Sequence, residues 1–176
     1  MVLNYDYVVI GGGTGNKVAS YASERKNKVA LIEPGPLGGT CVNRGCNPSK
    51  MLIHHSNILN TVYDAKRFHI DVTLNSIDFR SIIQEISETL EGVAKSMENQ
   101  MRNDPNLDIY KDKAQFIDNS ILEVGGKEIT GDKIIIAAGS RPYVPNSIEG
   151  LQEVDYITSS EAMFLDERPE KLVILG

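Results

Sequence analysis

This chain lacks several features that would each point to a particular class of protein. It has no surplus of positive charge, since 18 lysines and arginines stand against 24 aspartates and glutamates for a net charge of −6. That balance argues against nucleic acid or an anionic membrane as the partner. No apolar run reaches transmembrane length, and no basic segment with a signal-type apolar region opens the chain. We therefore expect a cytoplasmic protein without a membrane partner.

Cysteine is also scarce, and the two cysteines present, Cys41 and Cys46, lie in one short loop. On a regular helix, residues at this spacing have Cα atoms roughly 8–9 Å apart, whereas a disulfide needs roughly 4.4–6.8 Å. The loop must therefore buckle, and Gly45 permits this. A disulfide closing so small a ring adds little chain-entropy stabilisation, and a strained one is of the labile, catalytic kind. Two inert buried thiols are the alternative at this point.

The rest of the chain alternates strand and helix patterns. Periodicity and turn residues predict the following elements: strands at 5–10 and 28–33 with a helix at 17–26 between them, a loop at 34–40, helices at 48–65 and 77–102, strands at 106–116, 120–124, 127–130 and 132–137, and a last strand at 171–176. Gly125 and Gly126 form a two-residue hairpin turn in this scheme. The apolar stripe of the long helix at 77–102 indicates packing rather than a cofactor site.

The first strand–loop–helix–strand unit has the context that a dinucleotide fingerprint requires. Gly11 allows the tight turn, Gly13 lets the backbone approach a pyrophosphate, and Glu33 lies where an acid binds a ribose hydroxyl. The helix that follows offers free N–H groups and the positive end of its dipole. Asn16 replaces the third glycine, with Gly15 just before it, which predicts a slightly wider contact between helix and strand.

The run from Gly38 to Lys50, Gly-Gly-Thr-Cys-Val-Asn-Arg-Gly-Cys-Asn-Pro-Ser-Lys, resembles the signature of the FAD-dependent class I pyridine nucleotide–disulfide oxidoreductases. The segment from Ala137 to Pro142 resembles the second flavin motif of that family. Arg44 and the Asn-Pro-Ser-Lys run are most similar to the dihydrolipoamide dehydrogenases. The Thr14–Asn16 and Asp155–Ser159 runs are closer to the mycothione reductases, and glutathione and mercuric reductase types are further alternatives.

The resemblance implies an α/β fold with a Rossmann-like FAD-binding domain, a parallel sheet and a β-meander at about residues 107–137. It implies an FAD-binding domain over residues 1–170 and the first strand of a truncated NAD(P)-binding domain over residues 171–176. The full-length protein is then a homodimer that uses FAD and NAD(P) and acts on a small-molecule or lipoyl-domain disulfide. The chain by itself would not be competent for full turnover, and it could serve only as a flavin-binding module.

The resemblance also implies the roles of individual residues. Cys41 would exchange with the substrate, Cys46 would pass electrons to the flavin, and Lys50, one helical turn beyond Cys46, would stabilise the thiolate. The residues expected to bind FAD are Gly11, Gly13, Gly15, Glu33, Gly38, Gly39, Thr40, Cys41, Lys50, Ala114, Ala138, Gly139 and Ser140.

The three histidines, His54, His55 and His69, are not assigned to the site. In the family, the catalytic base is a carboxyl-terminal histidine paired with glutamate from the other subunit. His54 and His55 are instead predicted to be helix surface or packing residues. Zinc binding with the two cysteines is disfavoured because their spacing lacks the usual knuckle, so we expect no metal site.

Overall fold

The computed structural model describes residues 1–175. The elements in chain order are β1 (Leu3–Ile10), α1 (Gly15–Glu24), β2 (Val29–Ile32), α2 (Gly39–Arg44), α3 (Cys46–Asp64), α4 (Phe79–Arg102), β3 (Leu107–Tyr110), β4 (Ala114–Phe116), β5 (Ile121–Val124), β6 (Lys127–Ile136) and α5 (Ser159–Ala162). They form two compact units. The first contains residues 1–43 and 91–141, and the second contains residues 44–90 and the chain from residue 142 onward.

The first unit is built on a six-stranded sheet in the order β3-β2-β1-β6-β5-β4. The strands β3, β2 and β1 and most of β6 pair in parallel, whereas β4, β5 and the start of β6 pair antiparallel. All four residues of β2 are buried, as expected for a strand covered on both faces. The predicted α/β class with a parallel sheet is confirmed.

Two details of the predicted sheet are wrong. The predicted strand at 106–116 is two strands, and its first half, β3, pairs parallel with β2 rather than joining the meander. The predicted strands at 127–130 and 132–137 are one strand, β6, that continues through Gly131. The strand stays continuous because its first part pairs with β5 across the Gly125–Gly126 turn and most of it pairs with β1. Long-range pairing of this kind is not visible in local periodicity.

The core of the first unit consists of two apolar clusters, and β1 contributes side chains to both. The N–H groups of Asp6 and Tyr7 both donate to the carbonyl of Lys28, at 2.9 and 3.2 Å, so side-chain alternation is interrupted there. Tyr5 and Val8 consequently lie in one apolar cluster, which includes Ile32, Leu122 and Ile129. The other cluster consists of Val9, Ala19, Ala22, Val29, Leu31, Leu37, Met101 and Leu107. Burial, and then hydrogen bonds with Tyr110 and Asp108, raise the pKa of Tyr5.

The second unit is mainly helical. Its longest element is α3, which begins at Cys46, two residues before the predicted start, and is followed by a 3₁₀ helix at Ala65–Phe68. In the first unit, the predicted loop at 34–40 ends earlier than expected because α2 begins at Gly39. The short helix α5 is held by a capping box, in which the Thr158 side chain accepts from the Ser160 N–H and Glu161 accepts from the Thr158 N–H.

The last predicted strand is not formed in the part of the chain that the structure describes. Residues 171–175 are exposed and belong to no strand, because a strand requires a hydrogen-bonded neighbour and these residues have none among residues 1–175. Gly176, the last residue of that prediction, lies outside the described residues. The described helices include none that is both long and apolar enough to cross a membrane.

Candidate functional site

The turn after β1 is held in a conformation that only glycine tolerates. Gly11 has a φ of +112°, and a Cβ atom there would lie 2.2 Å from the carbonyl oxygen of Ala137. The Gly11 N–H donates to the Ile32 carbonyl at 2.8 Å, and the Ala137 N–H donates to the Ile10 carbonyl at the same distance. The ends of β1, β2 and β6 are therefore joined at this turn. The predicted second flavin motif, Ala137 to Pro142, begins at this contact.

Gly12 is a site residue that the sequence analysis missed. Its N–H donates to Oε2 of Glu33 at 2.7 Å, and its carbonyl accepts from the Gly38 N–H at 2.9 Å. A Cβ atom on Gly12 would meet Cγ of Glu33 at 2.7 Å and Cδ2 of Leu37 at 2.6 Å. The available signal was its position in the middle of three consecutive glycines. Gly12 therefore lets the acidic residue and the Gly38 loop approach the turn.

The glycines of the two predicted motifs touch each other. A Cβ atom on Gly39 would lie 2.6 Å from Cα of Gly13. The structure thus brings Gly13, Gly38 and Gly39 together, although they are far apart in the sequence. Gly15 is the first residue of α1, and a Cβ atom there would be 2.9 Å from Cγ1 of Val9 in β1. Asn16 was predicted to widen the contact between helix and strand. The close contact is instead formed one residue earlier, at Gly15.

Glu33 is half-buried and uses both carboxylate oxygens. Besides the bond from Gly12, its Oε1 accepts from the Gly35 N–H at 2.8 Å. The carbonyl of Gly35 accepts in turn from Nζ of Lys111. Each carboxylate oxygen has a second lone pair, so Glu33 can still accept from a ligand hydroxyl. Its position is set by the backbone before any ligand arrives.

The loop that carries the cysteines is more open. Cys41 and Cys46 are exposed, and both are disulfide-bonded, which leaves no free cysteine. The alternative of two inert buried thiols is therefore wrong. Asn43 was not predicted as a site residue, yet its Nδ2 donates to the carbonyls of Leu37 and Gly39, each at 3.0 Å. These bonds fix the start of α2 against the glycine loop.

Cys46 is the first residue of the 19-residue helix α3. The Ser49 N–H donates to the Gly45 carbonyl at 3.0 Å, and Ser49 Oγ donates to the Cys46 carbonyl at 3.1 Å. The helix N-terminus is the position where a thiolate is stabilised by the helix dipole. Lys50 lies one turn further along α3 and is exposed. His55 bonds the Met51 carbonyl through Nδ1 at 2.8 Å, as a packing residue does.

The remaining predicted residues lie in different surroundings. Ala114 is in β4 and packs against the cluster that contains Val124 and Ile129. Thr40 is exposed in α2, and Ala138, Gly139 and Ser140 are exposed in the irregular segment after β6. Among residues 1–175 no group of three or more histidine, cysteine, aspartate or glutamate side chains could hold a metal ion.

Comparison with known proteins identifies the family of this chain. The family described as pyridine nucleotide-disulphide oxidoreductase matches residues 5–176. Mycothione reductase from Mycobacterium tuberculosis is 36% identical over 98% of this chain and 38% of its own length. Dihydrolipoyl dehydrogenase from Bacillus subtilis is 30% identical over the whole chain and 40% of its own length. Mercuric and glutathione reductases match as well.

A solved structure supports the same class. The HOCl-induced flavoprotein disulfide reductase RclA from Escherichia coli has a TM-score of 0.72 and 32% identity over 93% of this chain and 34% of its own. This chain belongs to the pyridine nucleotide–disulfide oxidoreductase family, whose members use FAD and NAD(P)H. It spans less than half the length of these relatives.

Proposed function

We propose that this chain binds FAD at its glycine turn and uses the Cys41–Cys46 disulfide to pass electrons between the flavin and a dithiol or disulfide substrate. The observation that carries the proposal is the exposed disulfide of Cys41, which lies two residues after Gly39 in α2, and the contact of Gly39 with Gly13. Membership of the family supports the same assignment. The reaction of a whole enzyme, including NAD(P)H oxidation, is part of the proposal.

The residues at the turn fit the pyrophosphate of a dinucleotide. Within residues 1–175, the N–H groups of Gly13, Thr14 and Gly15 make no backbone hydrogen bond, and they head the ten-residue helix α1. Unpaired N–H groups at a helix N-terminus are a suitable anion site. At Gly13 the absence of a side chain leaves the backbone open to close approach.

The other proposed contacts follow from the family resemblance. Glu33 would accept a hydrogen bond from a ribose hydroxyl with the lone pairs left over by Gly12 and Gly35. Gly38, Thr40, Lys50, Ala114 and Ala138–Ser140 would complete the FAD site. FAD, when bound, supplies a two-electron acceptor for the reduced cysteine pair. Residues 1–170 would then form the FAD-binding domain, and residues 171–176 would begin an NAD(P)-binding domain.

The chemistry assigned to the chain itself is thiol–disulfide exchange. A substrate thiolate attacks Sγ of Cys41, and the Cys41–Cys46 bond breaks with Cys46 leaving as a thiolate. The second substrate thiol, after losing its proton to water, attacks the mixed disulfide and releases Cys41. The substrate is oxidised to a disulfide and the cysteine pair is reduced. The position of Cys46 at the start of α3 supports its role as the leaving thiolate.

For the substrate, we propose a dihydrolipoyl group, because Arg44 and the Asn47–Lys50 run are most similar to the dihydrolipoamide dehydrogenases. A reductase of the mycothione type is the second candidate. The 36% identity with mycothione reductase and the Thr14–Gly15–Asn16 run favour it. The first candidate predicts that dihydrolipoamide reduces the Cys41–Cys46 disulfide fastest, and the second predicts that mycothiol does. The rates of reduction by dihydrolipoamide, mycothiol and glutathione should therefore be compared directly.

The first experiment tests the cofactor. Titrating the chain with FAD should quench flavin fluorescence with a saturating one-to-one curve. Gly13→Val, which adds a side chain at the open backbone, should weaken this binding at least about tenfold, as expected when a close contact is lost. Val substituted at Gly92, an exposed site on α4 with open space around it, is the control. Absence of saturable binding by the wild-type chain would contradict the proposal.

The second experiment tests the disulfide. The native chain should show no free thiol, and dithiothreitol should expose both thiols and bleach bound flavin. Cys46→Ser should keep FAD binding and lose the bleaching, while Ser56→Ala, exposed on the same helix, should behave as wild type. Bleaching at an unchanged rate in Cys46→Ser would show that electrons reach the flavin without this pair.

A further inference from the structure

An open cleft in the first unit has no assigned role. It lies between α1 and the end of α4, near the start of β3, and its volume is about 530 Å³. That volume is within the range of sites for small molecules. None of the residues proposed to bind FAD lines it. We call it the α1–α4 cleft.

The inner wall of the α1–α4 cleft is apolar. Met101 and Leu107 are buried in the cluster that packs against α1, and Met97 is half-buried against the same cluster. Methionine side chains adapt their shape to a ligand and make favourable contacts between sulfur and aromatic rings. Met97 and Met101 lie one helical turn apart on α4, so together they form a surface that suits a flat aromatic ring.

One buried polar side chain in the cleft lacks a partner. Asn16 is only 8% exposed, and among residues 1–175 its carboxamide makes no hydrogen bond. Ser23, the other buried polar residue that lines the cleft, is satisfied, because its Oγ donates to the Ser20 carbonyl at 2.9 Å. Every fully buried side-chain nitrogen or oxygen in the described part of the chain has a partner, so the Asn16 carboxamide is reached through the cleft.

We propose that the α1–α4 cleft binds a neutral aromatic compound that carries a hydrogen-bond donor and an acceptor side by side on one edge, as aromatic carboxamides and nucleobases do. The edge of the compound pairs with the carboxamide of Asn16, which offers the complementary acceptor and donor. Asparagine forms the same pair of bonds with the edge of adenine. The ring lies against Met97 and Met101.

The charges around the cleft favour a neutral ligand. Two carboxylates, of Glu24 and Asp104, and one ammonium group, of Lys17, line it. The Asn106 N–H, which donates to Asp104, is the main cause that lowers the pKa of that carboxyl, so Asp104 is ionised at neutral pH. An anionic ligand would therefore meet more negative than positive charge, which disfavours phosphate-bearing compounds.

The pairing with Asn16 can be tested with two compounds of nearly equal shape. Benzamide carries an amide NH₂ group where acetophenone carries a methyl group. Benzamide should shift the methyl NMR signals of Met97 and Met101, but not those of the other three methionines, with a dissociation constant of about 1 mM, as is usual for so small a ligand. Acetophenone should bind about threefold to tenfold more weakly, since it forms one hydrogen bond fewer.

Three variants separate the amide from the cleft itself. Asn16→Leu keeps a side chain of similar size without the carboxamide and should bind the two compounds equally. Ser20→Leu fills the cleft and should bind neither. Val18→Leu is the control, because Val18 is exposed on α1 outside the cleft, and it should bind both as the wild-type chain does. Far-ultraviolet circular dichroism checks that each variant is folded.

Adenosine and nicotinamide, titrated in the same way, distinguish the two sources of this chemistry, because tighter binding of one identifies either a nucleobase or a carboxamide. Saturating FAD should leave the shifts unchanged, since the two sites share no residue. The proposal would be overturned by wild-type chain that shows no saturable shift at Met97 and Met101, or that binds benzamide and acetophenone equally. Loss of the shifts when FAD is added would also overturn it. The titrations without FAD do not depend on the proposed function.

Discussion

The glycine turn and the cysteine loop follow one another in the sequence and are held by different interactions. The turn is buried at Gly11 and Gly12, whose N–H groups donate to the Ile32 carbonyl and to the Glu33 carboxylate. In the loop, Cys41 and Cys46 are exposed, and Asn43 and the disulfide provide the restraint. In the proposed function the two regions have different tasks. A binding surface is built rigidly in advance, whereas a disulfide that exchanges must remain accessible.

The largest expected effect comes from adding a side chain to the buried turn at Gly11. Gly11→Ala should cost about 2–6 kcal/mol of unfolding free energy, the sum of a positive-φ strain and an overpacking clash. The clash is with backbone, 2.2 Å from the Ala137 oxygen, so it cannot be relieved by a side-chain rotation. Urea unfolding followed by circular dichroism measures the loss.

Gly92→Ala is the matched control, because Gly92 lies within α4 with no atom in reach of its Cβ position. There alanine should stabilise the chain by about 0.5–1 kcal/mol through helix propensity. Similar effects of the two substitutions would mean that the turn is not rigid.

The second-largest expected effect concerns Glu33, whose carboxylate accepts a hydrogen bond from the Gly12 N–H in the turn. Glu33→Gln keeps the shape but loses a charged acceptor for the Gly12 or Gly35 N–H. We expect a loss of about 1.5–3 kcal/mol, the usual value for a hydrogen bond to a charged group. The loss should appear in thermal unfolding without FAD, and FAD affinity should fall about tenfold to hundredfold as well. Glu24→Gln, exposed at the end of α1, should change neither. A fall in affinity without a fall in stability would make Glu33 a ligand contact only.

Local signals predicted the glycine turn, β1, β2 and the hairpin at Gly125–Gly126 well, because each depends on residues close together in the sequence. The contacts between motifs could not be predicted. Gly12 and Asn43 matter only because the Gly38 loop folds back on the turn. The pairing of β3 with β2 likewise depends on a partner about 78 residues away. Local periodicity contains no information on such pairings.

Other parts of the prediction have different outcomes. The family and its fold are confirmed, and both cysteines are disulfide-bonded. The roles of Lys50, Thr40, Ala114 and Ala138–Ser140 stay predictions, as do the cytoplasmic location and the choice of substrate. These depend on a bound cofactor or on surroundings that residue patterns alone do not define.

Reducing the disulfide should have a smaller effect than either substitution in the turn. Closing a loop as short as residues 41–46 is worth about 2 kcal/mol at most in chain entropy. We therefore expect the reduced chain to unfold at a slightly lower urea concentration with its far-ultraviolet circular dichroism unchanged. Hydrogen exchange should show the Gly12 N–H still protected, since its bond to Glu33 does not involve sulfur. Loss of that protection on reduction would show that the loop holds the turn, rather than the reverse.

The smallest expected effect concerns Lys111, which is linked to the turn through the hydrogen bonds of Gly35 and Glu33. Lys111, which donates to the Gly35 carbonyl, also pairs with Glu98 at 3.2 Å. The hydrogen bond from Arg102 is the main cause that holds the pKa of Glu98 below its usual range. Burial opposes it, and the hydrogen bond from Lys111 adds to the lowering. A carboxyl whose folded-state pKa is lowered adds stability above its unfolded pKa and loses it as the pH falls through the folded value.

Glu98→Gln should therefore cost about 0.2–1 kcal/mol at neutral pH, as for other exposed ion pairs. The difference from wild type should shrink in acid, below the ordinary glutamate pKa of about 4.3. Urea unfolding at several pH values measures it, with Glu91→Gln, exposed on the same helix, as the control. A gap that persists in acid would mean that Glu98 acts through packing. In that case the ion pair would have no part in fixing Lys111 beside the glycine turn.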